Sequence, residues 1–278
     1  MLSVITVVKN DIEGLSKTIK SVRSQTGLEI EHLIIDGGSI DGSARLAAEN
    51  NQKEIPSFQD GGIYQGMQRG LELASGDYIL FLNSGDEFLG TTFVRDGFAV
   101  LLESEVLWGY GPLVERNLRG SFSYVTEGTN NSLTRIVHRK TFIPFPTVIM
   151  SRSLVLQIGG FSYEYQIAGD FDLLVRLAQI SEPVTWNVPF AIFSAGGISY
   201  TKAPLAWKEE HAIRVERLNL IGLAKIKSYF VYVMRVFKWE LGKFLDFPYS
   251  IFRINDSKHW REVKKTKVPK KYLEVLTS

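Results

Sequence analysis

YILFLNSGDEF, residues 78–88, decides how this chain is read. Tyr78 to Leu82 form an apolar run of strand length, and a run that is apolar throughout belongs to a strand covered on both faces. The run passes without a break into Asn83, Ser84, Gly85, Asp86 and Glu87. A core strand that ends this way delivers polar groups and two acids to one edge of a sheet.

Two earlier runs repeat the pattern. SVITVVKN (3–10) is β-branched and ends in Lys9 and Asn10, and EHLIIDGG (31–38) ends in Asp36 and two glycines. Between them, Ile12, Leu15, Ile19 and Val22 recur at helical spacing. DGSARLAAENN (41–51) starts a helix capped by Asp41 or Ser43, and IYQGMQRGLELAS (63–75) is helical up to a turn at 75–77. Strand, helix, strand, helix, helix, strand is the rhythm of a parallel sheet with helices on both faces. In such sheets ligands bind beyond the carboxyl ends of the strands. Residues 88–150 are less regular. GDFDLLVRLAQI (169–180) is an amphipathic helix with two acids in its first turn, and 184–199 gives one or two short strands and a glycine turn.

Each acid on this rim has two readings. Asp86 suits a divalent metal, since Mg²⁺ and Mn²⁺ take one or two carboxylates plus phosphate oxygens; it also suits a solvated loop. Asp36, before Gly37-Gly38-Ser39, is either a turn acid or a ligand contact. Asp60, before Gly61-Gly62 and a helix, is a plausible cap. Asp170 and Asp172 are favoured by the helix dipole whatever else they do. GGSIDG (37–42) has the wrong spacing for a dinucleotide fingerprint, no GxxxxGK[ST] loop is present, and the four histidines lack ligand spacing.

Bulk composition narrows the classes. With 278 residues and 45% apolar content, the chain can bury one large core with an appendage. The absence of cysteine excludes disulfides and thiolate metal sites. MLSVITVVKND lacks the basic start of a signal peptide and reads as a strand. No apolar stretch reaches the ~18 residues of a membrane span. The formal net charge is +2, but residues 201–278 carry 17 Lys+Arg against 8 Asp+Glu, so a mildly acidic body carries a basic tail.

Taken together and in order, SVITVVKN, LIIDGGSIDGS, DGGIYQGMQRG, ASGDYILFLNSGDEF, GGFSYEYQIAGDFDLLVRL and AGGIS resemble family 2 of the glycosyltransferases. The likeness covers residues 1 to about 200 and is nearest to bacterial enzymes that build exopolysaccharide, capsule or O-antigen units. It implies the α/β GT-A fold: a Rossmann-like, mostly parallel sheet flanked by helices over residues 1–204. Residues 205–278 would be a helical, basic, aromatic-rich extension.

The resemblance also implies roles. Thr6, Val8 and Asn10 would line the nucleotide pocket and Asp36 would contact the base, typically uracil. Asp60 and Arg69 would face the nucleotide sugar. Asn83 and Ser84 would lie beside it, in the position of the family's DxD-type stretch, with Asp86 on a Mn²⁺ or Mg²⁺ ion that bridges the diphosphate. Asp170 would be the catalytic base of an inverting, metal-dependent hexosyl transfer. The donor would be of UDP-hexose type. The acceptor would be a saccharide or lipid-linked saccharide in bacterial surface polysaccharide synthesis, met at the cytoplasmic membrane face. The absence of a QxxRW stretch implies one sugar added per acceptor.

Departures are visible. Asn83 and Gly85 replace acids found in many relatives, Gln65, Gln68 and Arg69 replace an Asp, an Asn and a Lys, and Thr147 stands where relatives often carry His. Two alternatives stay open: a non-catalytic nucleotide-sugar-binding assembly partner, and a sugar nucleotidyltransferase, for which VVKNDIEG is a poor phosphate loop.

In the tail, Ile226, Phe230, Val233, Phe237, Leu241 and Phe244 recur every three or four residues, while Lys227, Arg235 and Lys238 mostly fall elsewhere on the wheel. That pattern predicts either a helix packed on its own domain or an interfacial helix, with peripheral membrane contact through 226–260. Nucleic-acid binding has no module to support it.

Overall fold

The three apolar runs become three adjacent strands in the computed structural model, which describes residues 1–51, 53, 55–57, 61–126, 143–244 and 264–277. β1 (Leu2–Val8) leads through α1 (Ile12–Arg23) to β2 (Ile30–Asp36). α2 (Ser43–Asn50) and α3 (Ile63–Leu73) lead to β3 (Tyr78–Phe81). β4 (Glu87–Phe88), α4 (Phe93–Glu103), β5 (Trp108–Tyr110), β6 (Leu113–Arg116) and β7 (Phe122–Thr126) follow. Beyond a 3₁₀ turn at Phe145–Thr147 come β8 (Ile149–Ser151), α5 (Arg152–Gln157), α6 (Gly169–Ala178), β9 (Val184–Thr185) and β10 (Ala191–Ser194). The chain then runs through α7 (Ile198–Thr201), α8 (Ala203–Arg217), α9 (Gly222–Phe244), β11 (Lys264–Thr266) and α10 (Lys270–Thr277).

The main sheet has the order β2-β1-β3-β8-β5-β9. β1 lies parallel to both β2 and β3, while β8 runs against β3 and β5, so the sheet is mixed. The apolar runs explain the core. Ile5, Leu33 and Phe81 point to one face and meet Met67 and Leu71 of α3 and Leu173 of α6. Leu2, Val4, Leu80 and Leu82 point to the other and meet Phe98 and Leu101 of α4. Both faces of each strand are therefore dry, which is why these strands lack polar alternation. Each such buried side chain contributes about 1.5–3 kcal/mol.

The register aligns the strand ends. Val8 pairs with Asp36 and Ile5 with Phe81. Ser84 N donates to Val7 O at 3.2 Å, which carries the ladder past the end of β3. The irregular middle of the sequence supplies a second sheet, ordered β11-β7-β6-β10-β4. In it Ile192 of β10 pairs with both Val114 and Glu87, so the last residue of β10, Ser194, arrives beside Asp86.

Candidate active site

The loop after β3 is held from three directions. Thr18 of α1 is fully buried; its hydroxyl donates to Asp86 O at 2.7 Å and accepts from Gly85 N at 3.1 Å. Ser84 Oγ donates to Asp11 Oδ2 at 2.7 Å, and Asp11 also caps α1 by accepting from Gly14 N. Ser194 donates from its hydroxyl to Gly85 O at 2.6 Å and from its backbone N to Asp86 Oδ1 at 2.9 Å. Gly85 has φ +89°, a left-handed conformation that favours glycine.

Asp86 is buried, yet it receives only the Ser194 N–H among the described residues, and its Oδ2 accepts nothing there. Burial pushes its carboxyl up to about 7; the Ser194 bond and Arg116 pull it down, Glu87 pushes it further up. Asn83 Oδ1 is likewise buried with no hydrogen-bond partner in the described structure. Buried oxygens are rarely left unpaired without a reason. The described residues contain no cluster of three or more His, Asp or Glu that surrounds a metal position. A Mn²⁺ or Mg²⁺ ion at this loop would rest on Asp86 Oδ2 and Asn83 Oδ1, with phosphate oxygens and water supplying the rest. That sparse protein set fits the habit of Mg²⁺-type ions.

Along the same edge, Asp36 Oδ2 accepts from Gly38 N and Ser39 N, each at 3.0 Å, and from the Ser57 hydroxyl. Burial alone would raise this carboxyl, but the Ser39 and Ser57 hydroxyls and the two backbone N–H groups outweigh it and hold it below its usual range. Asp36 Oδ1 is buried and has no partner among the described residues. Asn10, at φ +52°, joins the β1 and β2 ends: its N donates to Ser39 Oγ and its Oδ1 accepts from Ile40 N, both at 2.8 Å. Thr6 and Val8 do not reach this edge with their side chains. Thr6 is fully buried and donates to Leu82 O at 2.8 Å, and Val8 packs on Leu15, Ile19 and Ile34. Arg69 lies partly exposed on α3, and Asp60 lies outside the described residues.

The third group reaches the rim through α3. A helix that links two parallel strands runs back along the sheet, so its first turn opens where the strands end. Tyr64, in that turn, donates to Ile167 O at 2.6 Å and to Asp170 Oδ1 at 3.1 Å. A Cβ on Gly169 would stand 2.7 Å from the Tyr64 ring, so glycine permits this approach. The two acids of α6 part ways. Asp172 is fully buried, bonded to Arg176 at 2.8 Å and Arg217 at 2.7 Å, and is structural. Asp170 remains partly exposed beside Tyr64. Glu209 of α8 braces this segment: its carboxylate accepts from the N–H groups of Gln166, Ile167 and Ala168 at 2.8–2.9 Å.

The family model "Glycosyl transferase family 2" matches residues 3–95. An uncharacterized glycosyltransferase of Mycobacterium tuberculosis is 34% identical over 216 residues, covering 74% of this chain and 79% of that protein. This chain belongs to glycosyltransferase family 2. A Mycobacterium bovis glycosyltransferase named for PGL/p-HBAD biosynthesis is 26% identical over 212 residues, 72% of this glycosyltransferase and 80% of the relative. S. aureus TarS 1–349, solved with UDP-GlcNAc, aligns with TM-score 0.62 and 17% identity over 82% of this chain and 69% of that one. A mannosyltransferase from Pyrobaculum calidifontis, solved with GDP-Man and Mn²⁺, aligns with TM-score 0.59 and 13% identity over 80% and 65%. These likenesses place the glycosyltransferase in the GT-A fold class.

Several residues of the site escape a reading of the sequence. Thr18 is one polar residue in an otherwise ordinary amphipathic helix. Ser194 precedes the AGGIS stretch, the only hint of it. Gln65 accepts from Gly61 N at 2.8 Å and Gln68 from Phe161 N at 2.9 Å, so these departures from the family pattern hold backbone. Thr147 is fully buried, donating to Gly111 O and Pro144 O, and therefore does not face an acceptor.

Proposed function

We propose that this glycosyltransferase moves a hexose-type sugar, with inversion, from a nucleoside diphosphate donor of UDP type to a saccharide or lipid-linked saccharide at the cytoplasmic membrane face, in surface polysaccharide synthesis. Residues 1–204 form the catalytic domain. Residues 205–278 are an extension whose first helix, α8, steadies the base.

The reading is carried by one observation: three buried or half-buried oxygens, Asp36 Oδ1, Asn83 Oδ1 and Asp86 Oδ2, lie along the strand ends without protein partners in the described structure. Asp36 Oδ1 would accept the ring N–H of a uracil. Asp86 and Asn83 would hold the divalent ion. When bound, that ion neutralises charge on the departing diphosphate. Asn10, Asp60, Arg69 and Ser84 would stand around the nucleotide sugar, with Thr6 and Val8 supporting the strand beneath.

Asp170 acts as general base. Its carboxylate takes the proton from the acceptor hydroxyl while the acceptor oxygen bonds to the anomeric carbon. The bond from that carbon to the diphosphate oxygen breaks, and its electron pair leaves with the nucleoside diphosphate. A single displacement of this kind inverts the anomeric centre. Tyr64, hydrogen-bonded to Asp170, and Glu209, on the preceding backbone, fix where the carboxylate points.

Asp170→Asn tests the assignment. Turnover should fall about a thousandfold, the order of a general base contribution, while donor affinity measured by calorimetry stays within about twofold. Loss of donor binding would instead place Asp170 in the donor pocket. Unchanged turnover would favour an assembly-partner role.

A further inference from the structure

Helix α9 packs the opposite way round from a helix that buries its apolar stripe. The side turned to α8 is polar and aromatic. Ser228 bonds to His211 Nδ1 at 2.8 Å, buried Arg235 pairs with Glu210 at 3.5 Å, and Trp239 meets Trp207 edge-on at 6.0 Å. The side turned outward is apolar. Ile226 is 64% exposed, Phe230 62% and Phe237 60%, and Leu223, Tyr229, Val233, Met234 and Leu241 are exposed with them. At 100° per residue these side chains fill an arc of about 140°. Lys227 and Lys238 border one margin of that arc and Lys225 the other; Glu240, the sole acid of α9, falls within the arc near the end of the helix, beyond Phe237, so the uninterrupted apolar stretch runs from Leu223 to Phe237. Contiguous exposed apolar faces of this kind mark interaction surfaces. None of the described helices is long and apolar enough to cross a membrane.

We propose that the outward face of α9 lies flat on an anionic phospholipid surface, with Ile226, Phe230, Val233 and Phe237 in the headgroup–acyl boundary and Lys225 and Lys227, one on each margin, on the phosphates. Charge selects this occupant. Lysines on both margins of an apolar arc match an interfacial helix on anionic lipid. A second copy across a two-fold axis would set the same lysine rows against each other. Residues 201–278 carry the chain's basic excess, 17 Lys+Arg against 8 Asp+Glu, whereas the rest of the chain is acidic. The docking deepens the reading of a lipid-linked acceptor and rests on it for its purpose. α9 leans on α8, and α8 holds the segment before Asp170 through Glu209, so a bilayer bound by α9 lies one helix away from the base.

The test is cosedimentation of the full chain, without donor, on vesicles of phosphatidylcholine alone and of phosphatidylcholine mixed with phosphatidylglycerol. Wild type should bind the anionic vesicles and release with salt, since a charged surface is screened within about 10 Å at 0.1 M. Phe230→Ser/Phe237→Ser should weaken binding at least about tenfold. Lys225→Glu/Lys227→Glu should do the same or more, at about fivefold per lost lysine. Melting temperatures should stay put, because Lys225, Lys227, Phe230 and Phe237 are exposed in the folded chain. The proposal is overturned if wild type ignores anionic vesicles or if both variants bind as well as wild type. It is equally overturned if the phenylalanine variant turns a dimer into a monomer in light scattering, or melts far below wild type, which would mean a second copy or the chain itself covers the face. The assay needs no turnover. Its failure leaves the transfer reading standing, and failure of the Asp170 test leaves the docking standing.

Discussion

Two buried carboxylates close the same three parallel strands at opposite ends, and their surroundings are opposites. Glu31, at the amino ends, is saturated. Ser3 Oγ donates at 2.6 Å, Lys53 Nζ at 2.6 Å, and Ser75 donates from both N and Oγ at 2.7 Å. Burial alone would raise its carboxyl, but these donors, Lys53 foremost, outweigh burial and bring it down to about 2. Asp86, at the carboxyl ends, receives one backbone N–H and is pushed up to about 7. One end of the sheet is finished by the protein. The other waits for something positive. A buried acid raised this strongly is a candidate for function rather than for stability.

The largest effect should come from relieving the unfinished end. Asp86→Asn should cut transfer by about three orders of magnitude, since the charge proposed to hold the metal is gone. The same change should stabilise the metal-free protein. The folded carboxyl lies above its ordinary value, so its ionisation opposes folding: the penalty is absent below pH 4 and complete once pH passes about 7. At pH 8 the variant should therefore outmelt wild type, by on the order of 4 kcal/mol at most, and the gap should close at pH 4. Added Mn²⁺ should raise the melting temperature of wild type alone. Equal melting at pH 8 would mean that Asp86 is as well satisfied as Glu31, and the comparison fails.

Glu31→Gln should do the reverse. A carboxylate with four donors becomes an amide that faces some of them with its own N–H groups, which costs about 2 kcal/mol. Turnover of the folded enzyme should not change. The folded carboxyl is depressed, so its contribution is present above the ordinary glutamate range and is lost as pH falls through about 2. Denaturation of both proteins from pH 7 down to pH 2 should show the difference shrinking in that window. A constant difference would mean that the loss comes from packing rather than from charge.

How much of this contrast could be read beforehand depends on how far each partner lies along the chain. The ends of β1, β2 and β3 were legible because three apolar runs stop at polar residues, and a parallel register then lines up Asn10, Asp36 and Asp86 without further information. What holds them was not. Ser194 reaches Asp86 across 108 positions and Glu209 reaches Ala168 across 41, both through backbone N–H groups, which no residue pattern announces. The family resemblance implies Thr6 and Val8 at the nucleotide pocket, whereas in the fold strand alternation and neighbouring helices bury both side chains. The amphipathic pattern of α9 was plain, but which side meets the protein is decided by Arg235, Ser228 and Trp239 finding partners on α8, a long-range matter again.

Asp36 lies between the two extremes, and the smallest predicted effect belongs to it. Its Oδ2 is finished by Gly38, Ser39 and Ser57, while its Oδ1 has no partner in the described structure. Half of the group therefore serves the fold, and half is the part proposed to meet the donor's base. Asp36→Asn keeps an acceptor for one set of donors but presents an N–H group to the other or to the base. With the donor's ring N–H no longer accepted, KM for a UDP-sugar should rise about tenfold, the value of one hydrogen bond to a charged group, with kcat changed much less because the contact lies far from the anomeric carbon. The variant should also discriminate less between uridine and guanosine donors. If kcat falls and KM holds, Asp36 acts on the reacting end of the donor, and the strand ends divide their labour differently from the order base, diphosphate, sugar proposed for Asp36, Asp86 and Asp170.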